Sequence, residues 1–253
     1  MRRVDLNADV GESFGPYVIG DDAAVLRSVT SASIAAGFHA GDASVLRRTV
    51  RLAKEHGVAV GAHPGFFDLA GFGRREIRMR PEEAEDLVLY QIAAVAGVAS
   101  SEGIRLQHVK PHGALYNMAV RDRGLADAIA RATASLDDRL ILCAPPRSAL
   151  AEAGDAAGLR VAREGFADRA YHADGTLVPR HLPGAVIVSV EEVVTRAIQM
   201  AIERTVVAVD GSAIALEVDT ICVHGDSVGA GALAAWLRAG LTSSGIEVRA
   251  LGA

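Results

Sequence analysis

Seven short apolar runs of strand length recur along the 253 residues, and a stretch of helical period follows most of them. The runs cover residues 4–9, 33–37, 58–62, 106–109, 140–143, 159–162 and 220–223. Helical periods cover 22–31, 43–56, 81–102, 123–135, 191–204 and 229–242, and a further helix follows Pro145-Pro146. Strands that alternate with helices pair in parallel, because each helix carries the chain back to the starting edge of the sheet. Such crossovers are right-handed, and repeated units can close on themselves. The expected fold is therefore α/β: one domain over residues 1–253, built as a seven-stranded (β/α) TIM-like barrel. Residues 206–218 break the pattern. Two β-rich runs around Asp210-Gly211 predict a small β-hairpin inserted outside the main sheet. Residues 247–249 form a candidate terminal strand. An open doubly wound sheet is the alternative, but no Gly-x-Gly-x-x-Gly follows the first strand.

The chain is half hydrophobic, enough to bury one large core. Its net charge of −5 and the lack of a long basic run argue against nucleic acid as a partner. No 18-residue stretch is free of charge and the N-terminus has no apolar leader, so neither a membrane span nor a secretion signal is expected. Cys143 and Cys222 both lie in apolar runs and read as buried core residues in a reducing compartment. These features together predict a cytoplasmic protein.

The first run alternates. Asp5, Asn7 and Asp9 share one face, and Val4, Leu6 and Ala8 the other. In a barrel sheathed by helices the polar face points into the lumen, where carboxylates are costly unless they pair or line a site. Polar residues then gather after run upon run: Asp9 and Glu12, His39 and Asp42, His63 and Asp68, Lys110 and His112, Asp168 and Arg169, His224 and Asp226. In βα barrels the loops at the C-terminal strand ends build the active site. Lys110, one of only two lysines among 26 basic residues, precedes a proline and so sits in extended backbone, sharing a face with His112. The loop 66–75 is long for a βα connection, as functional loops often are. Three chemistries suit this cluster. Histidines and carboxylates could hold a divalent metal with an activated water. The same groups could perform metal-free acid–base hydrolysis, with Lys110 or an arginine stabilising an oxyanion. They could also bind a polar ligand without turnover. There is no Gly-Lys dipeptide and hence no Walker-type loop, so a nucleotide would be held another way or by a partner.

The motifs Asp5-Leu6-Asn7-Ala8-Asp9-Val10-Gly11-Glu12, Gly37-Phe38-His39-Ala40-Gly41-Asp42, Gly61-Ala62-His63-Pro64, Gly71-Phe72-Gly73-Arg74-Arg75, residues 108–117, Phe166-Ala167-Asp168-Arg169, Leu177-Val178-Pro179-Arg180 and Val223-His224-Gly225-Asp226 resemble, in order, those of the LamB/YcsF family. One departure is visible: Ala35-Ala36-Gly37 stands where Ala-Cys-Gly is expected, which removes a thiol but leaves His39 and Asp42. The resemblance implies an incomplete seven-stranded βα barrel of the glycoside hydrolase/deacetylase type. It implies ring-opening of 5-oxo-L-proline to L-glutamate coupled to ATP hydrolysis, in a complex with 5-oxoprolinase subunits B and C. ATP is then the co-substrate, and a divalent metal is left open. Carried onto this chain, the catalytic candidates are Asp9, Glu12, His39, Asp42, His63, Lys110, His112, Asp168, His224 and Asp226. The substrate-binding candidates are Asn7, Arg74, Arg169, Tyr171, Arg180 and Asn117. Lys110, Arg169 or Arg180 would hold a carboxylate or phosphoryl group, and Asp9, His63 or His112 would move protons. Replacing Lys110 with Ala is expected to abolish turnover without unfolding the chain.

Overall fold

The computed structural model describes residues 2–226 and 229–252. Its organising element is β1 (Arg3–Val10), buried from Val4 onward on both faces. The apolar face packs under the helices and the polar face looks into the lumen. Going round the barrel, β1 is followed by β2 (Ser31–Ala35), β3 (Ala59–His63), β4 (His108–Val109), β5 (Ile141–Ala144), β6 (Arg160–Phe166) and β9 (Thr220–His224). All these pairs are parallel, and β9 returns to β1 with Asp5 opposite Thr220 and Asp9 opposite His224, so the seven-stranded barrel is closed. A short β10 (Glu247–Val248) adds to the N-terminal end of β1.

The helices are α1 (Asp22–Leu26), α2 (Ala43–Glu55), α3 (Pro81–Ser101), α4 (Gly113–Ala119), α5 (Arg123–Leu136), α6 (Ala149–Ala156), α7 (Val190–Glu203) and α8 (Ala230–Ser243). Their starts follow ordinary capping chemistry. Asp42 accepts from the Ser44 and Val45 amides at the head of α2, and Pro81 opens α3, where its missing N–H is no loss. In α3 the residues Ala84, Val88, Gln91, Ile92, Val95 and Ala99 recur at helical spacing and are buried. The hairpin pairs β7 (Thr205–Val207) with β8 (Ala213–Ala215) in its own two-stranded sheet, and Gly211 in the turn has φ +84°. Among the described residues no helix is long and apolar enough to cross a membrane.

Most boundaries differ from the sequence expectation by a residue or two, and a few shifts are larger or bear on the site. The helix expected over 22–31 ends at Leu26, and β2 starts at Ser31. β2 stops at Ala35 because Gly37 and Gly41, at φ +91° and +80°, turn the chain off the sheet. β6 runs on past 162 to Phe166, since Glu164, Gly165 and Phe166 pair with Thr220, Ile221 and Cys222. That extension puts Glu164 inside the barrel.

Candidate active site

The lumen of this barrel is polar, unlike the branched apolar layers usual in βα barrels. At its base Asp5 accepts hydroxyl bonds from Thr30, Ser31 and Thr220, at 2.7, 2.6 and 2.5 Å. Burial raises the Asp5 carboxyl above the usual carboxylate range. One layer up, Asn7 donates to Glu164 Oε1 and to Thr220 Oγ1, and the Tyr116 hydroxyl donates to Glu164 Oε2. His108 lies over Gly61, where a Cβ would come within 2.2 Å of its ring, and its Nε2 meets Ser33 Oγ at 3.2 Å. Burial pushes His108 down to about 3, so it is a neutral lumen residue.

Lys110 closes this network from above. Its Nζ lies 2.9 Å from Asp9 Oδ1, 2.8 Å from Glu164 Oε1, 3.1 Å from Asn7 Oδ1 and 2.9 Å from Cys222 Sγ. An ammonium has three protons, so these four neighbours already exhaust it. Burial works against the charge of Lys110, but Asp9, Cys222 and Glu164 together outweigh it and hold the amine well above its usual range. Burial likewise opposes the charge of Asp9, while His63 and Lys110 more than compensate and hold it below the usual carboxylate range. Cys222 is therefore part of the polar network rather than the plain core residue expected; burial pushes its thiol well up, so it is neutral.

Above Asp9 stand three imidazoles and a carboxylate, His63 from the end of β3 and Glu12, His39 and His112 from beyond the ends of β1, β2 and β4. His39 and His112 stack with ring centres 3.8 Å apart and planes 4° from parallel, and His63 meets both edge-on. Two glycines let backbone lie against the stack. A Cβ on Gly65 would come within 2.5 Å of His39 Nδ1, and one on Gly73, at φ +61°, within 2.8 Å of His112. Burial pushes His39 and His112 well below the usual imidazole range, lowers His63, and pushes Glu12 well above the carboxylate range.

Across the mouth, His224 Nδ1 lies 2.7 Å from Asp168 Oδ2, and Phe166 stacks on the imidazole. Burial would raise Asp168, but His224, with Arg180 and Arg169, outweighs that and keeps it low. Asp9, His63, Lys110, His112 and His224 all line one cavity of about 1370 Å³, larger than the roughly 300–1,000 Å³ usual for a single small ligand. The geometric expectation of a single mouth is met by these residues. Arg180, Asn117 and Tyr171 lie on the cavity wall.

Other candidates have structural duties. Asp42 caps α2 and accepts from the Gly15 amide. Asp226 pairs with Arg74 at 2.5 Å, a clamp that joins the loop after β3 to the loop after β9. Arg169 donates to the Val178 and Ala185 carbonyls, and Arg196 donates to the backbone carbonyl of Arg169. Burial and then Arg180 push Arg169 down to about 10. Its guanidinium fastens the loop after β6, and the residue also lines the cavity. Tyr171 accepts from the Phe166 amide. Asp68 pairs with Arg75.

Sequence reasoning missed Glu164, Cys222, Tyr116 and His108 as site residues. Glu164 was detectable only by continuing β6 beyond 162 on its inward face, and Cys222 by its two-residue offset from Thr220 and His224. Two letter patterns mislead. Gly11-Glu12-Ser13-Phe14-Gly15 spells a Gly-x-Ser-x-Gly elbow, yet Ser13 Oγ bonds to the Ile19 backbone and no helix follows. His108-x-x-x-His112 spells a helical ligand pair, yet it lies on extended backbone and the two rings occupy different layers.

Two groups of ligand-type atoms fall together: Glu12, His39, His63 and His112, all within 4.8 Å of one another, and Asp9, Cys222 and His224. In the second group a cation is already present, since Lys110 Nζ touches both Asp9 and Cys222.

A closed parallel (β/α) barrel with acids, imidazoles and a lysine converging on one mouth defines the class: a TIM-like α/β barrel with a polar site at one end. The polysaccharide deacetylase Bc1974 from Bacillus cereus shares this fold, with TM-score 0.50 at 12% identity over 99% of this chain and 92% of that one. The chain belongs to the LamB/YcsF family, whose profile matches residues 4–253. It is 54% identical to the 5-oxoprolinase A subunit of Symbiobacterium thermophilum, across 100% of this chain and 97% of that one. It superposes on the lactam utilization protein from Thermus thermophilus with TM-score 0.94 at 48% identity, covering 98% of this chain and 100% of that one.

Proposed function

We propose that this chain is the lactam-opening subunit of a 5-oxoprolinase, cleaving 5-oxo-L-proline to L-glutamate with ATP hydrolysed in a complex with subunits B and C. The observation that carries the proposal is His224, held by Asp168 at 2.7 Å and lining the same cavity as Asp9 and Lys110. An unactivated lactam is a poor electrophile. Transfer of the ATP γ-phosphoryl group to the lactam oxygen turns the ring carbon into a good one. Water then adds to that carbon, the C–N bond breaks, the ring nitrogen takes a proton, and a second water releases phosphate from the resulting acyl phosphate. The sum is 5-oxoproline, ATP and two waters giving glutamate, ADP and phosphate.

His224, oriented through Nδ1 by Asp168, takes the proton from the attacking water and returns it to the leaving nitrogen. Lys110 keeps Asp9 ionised and holds both Asp9 and Glu164 in place rather than binding substrate. Arg180, with no ion-pair or hydrogen-bond partner among the described residues, meets the substrate carboxylate or the phosphoryl group. The large cavity and the lack of a phosphate loop suit delivery of an activated substrate by partner subunits, and consumption of ATP suits a cytoplasmic enzyme.

The test is 5-oxoproline-dependent ATP hydrolysis and glutamate release in the reconstituted three-subunit mixture, with each subunit omitted in turn. Glutamate release is expected to vanish without this chain. Undiminished glutamate release in its absence would reject the proposal, and lactam opening by this chain alone without ATP would replace it with a stand-alone hydrolase.

A further inference from the structure

The Glu12, His39, His63 and His112 cluster has no part in the proton transfers assigned above, yet its hydrogen-bonding is unfinished. His63 Nδ1 lies 2.7 Å from the Lys110 carbonyl and His112 Nε2 lies 2.8 Å from the Phe72 carbonyl. A carbonyl only accepts, so each of those nitrogens carries the ring proton. The opposite nitrogens, His63 Nε2 and His112 Nδ1, therefore both present lone pairs, and they face each other at 3.0 Å. Two lone pairs at that distance repel unless something positive lies between them. Glu12 Oε1 points at the same place, 3.6 Å from His112 Nδ1 and 3.4 Å from His39 Nε2. Glu12 Oε1 and both nitrogens of His39 are buried without a hydrogen-bond partner among the described residues.

We propose that Glu12, His39, His63 and His112 form a divalent-cation site at the barrel mouth. Four ligands at about 2.0–2.1 Å from a tetrahedral Zn²⁺ stand about 3.3 Å apart, close to the measured 3.0, 3.4 and 3.6 Å. Three imidazoles and one carboxylate select a borderline ion such as Zn²⁺ or Co²⁺ over Mg²⁺ or Ca²⁺, which prefer all-oxygen shells. The two carbonyls that fix the tautomers are the outer partners such sites use to aim their ligands. The Gly65 and Gly73 backbones pack against the stacked rings, and because imidazole lone pairs lie in the ring plane, one of the two parallel rings tilts out of the stack as the ion binds.

The test uses the full chain stripped of metal by chelator, then titrated with Zn²⁺ or Co²⁺. Elemental analysis after desalting, the visible absorption of tetrahedral Co²⁺ and the rise in Tm are the readouts. One ion per chain is expected, with no competition from Mg²⁺. The variants Glu12→Gln and His39→Asn are expected to bind more than about 100-fold more weakly, because losing a ligand exceeds the 10–100-fold cost of losing an outer partner. Their circular dichroism and metal-free Tm are compared with those of the metal-free wild type, so a folding defect is seen separately. Absence of stoichiometric binding by the wild type overturns the site, as does wild-type affinity in both variants. Binding is read without substrate or partners, so its failure leaves the lactam proposal standing, and failure of the lactam reaction leaves the site standing.

Discussion

Lys110 shows how far a single residue can be understood from its letter. Its rarity and its place before Pro111 mark it as important, and it does sit at the centre of the site. Its role was not legible, because Glu164 and Cys222 come from strands whose inward faces depend on exact boundaries. Removing Lys110 takes the shared cation from two buried carboxylates, so loss of activity without loss of stability is no longer the expected result. Lys110→Met is expected to cost about 3–5 kcal/mol in urea unfolding. Adding Glu164→Gln should recover part of that, giving a clear coupling energy in the double-mutant cycle. The His224 pair predicts a different non-additivity. His224→Gln is expected to lower kcat about 10²–10⁴-fold. Asp168→Asn should lower kcat as well, and the double variant should be no slower than His224→Gln alone, because Asp168 acts only through the imidazole. Arg180→Ala is expected to raise KM about 10–100-fold with a smaller change in kcat, as fits loss of a charge-assisted bond of about 1.5–3 kcal/mol.

At the scale of elements, strand and helix alternation was plain in the sequence, because apolar periodicity is a repeated signal. Ends were less plain, because they are set by single glycines and by pairing partners far away in the chain: Gly37 ends β2, and β9 draws out β6. The least visible element-level feature is Gln91 on α3. Its side-chain oxygen accepts from the Gly65 amide, and its nitrogen donates to the Gly65 carbonyl. A polar residue on the buried stripe of a helix thus nails down the loop that carries His63-Pro64-Gly65. Gln91→Ala is expected to destabilise by about 1–3 kcal/mol for each Gly65 group left unpaired. It should also lower the affinity for Zn²⁺ in the titration above, whereas substitution of exposed Glu82 on the same helix should do neither.

For the molecule as a whole, β1 and β9 are neighbours in the barrel though more than two hundred residues apart in the chain, and the bond from Thr220 to Asp5 crosses that join. The Arg74–Asp226 clamp spans the same mouth from the other side. Both partners are partly exposed, so Asp226→Asn should change stability by less than about 1 kcal/mol, while freeing two loops over the cavity and raising KM. A parallel β1–β9 pairing of this separation has a consequence for synthesis. As the chain leaves the ribosome, Asp5, Asn7 and Asp9 emerge early and wait, hydrated and unmatched, for Thr220 and His224 to follow. Until they do, the barrel has no closing strand and the cavity lacks the wall that carries His224.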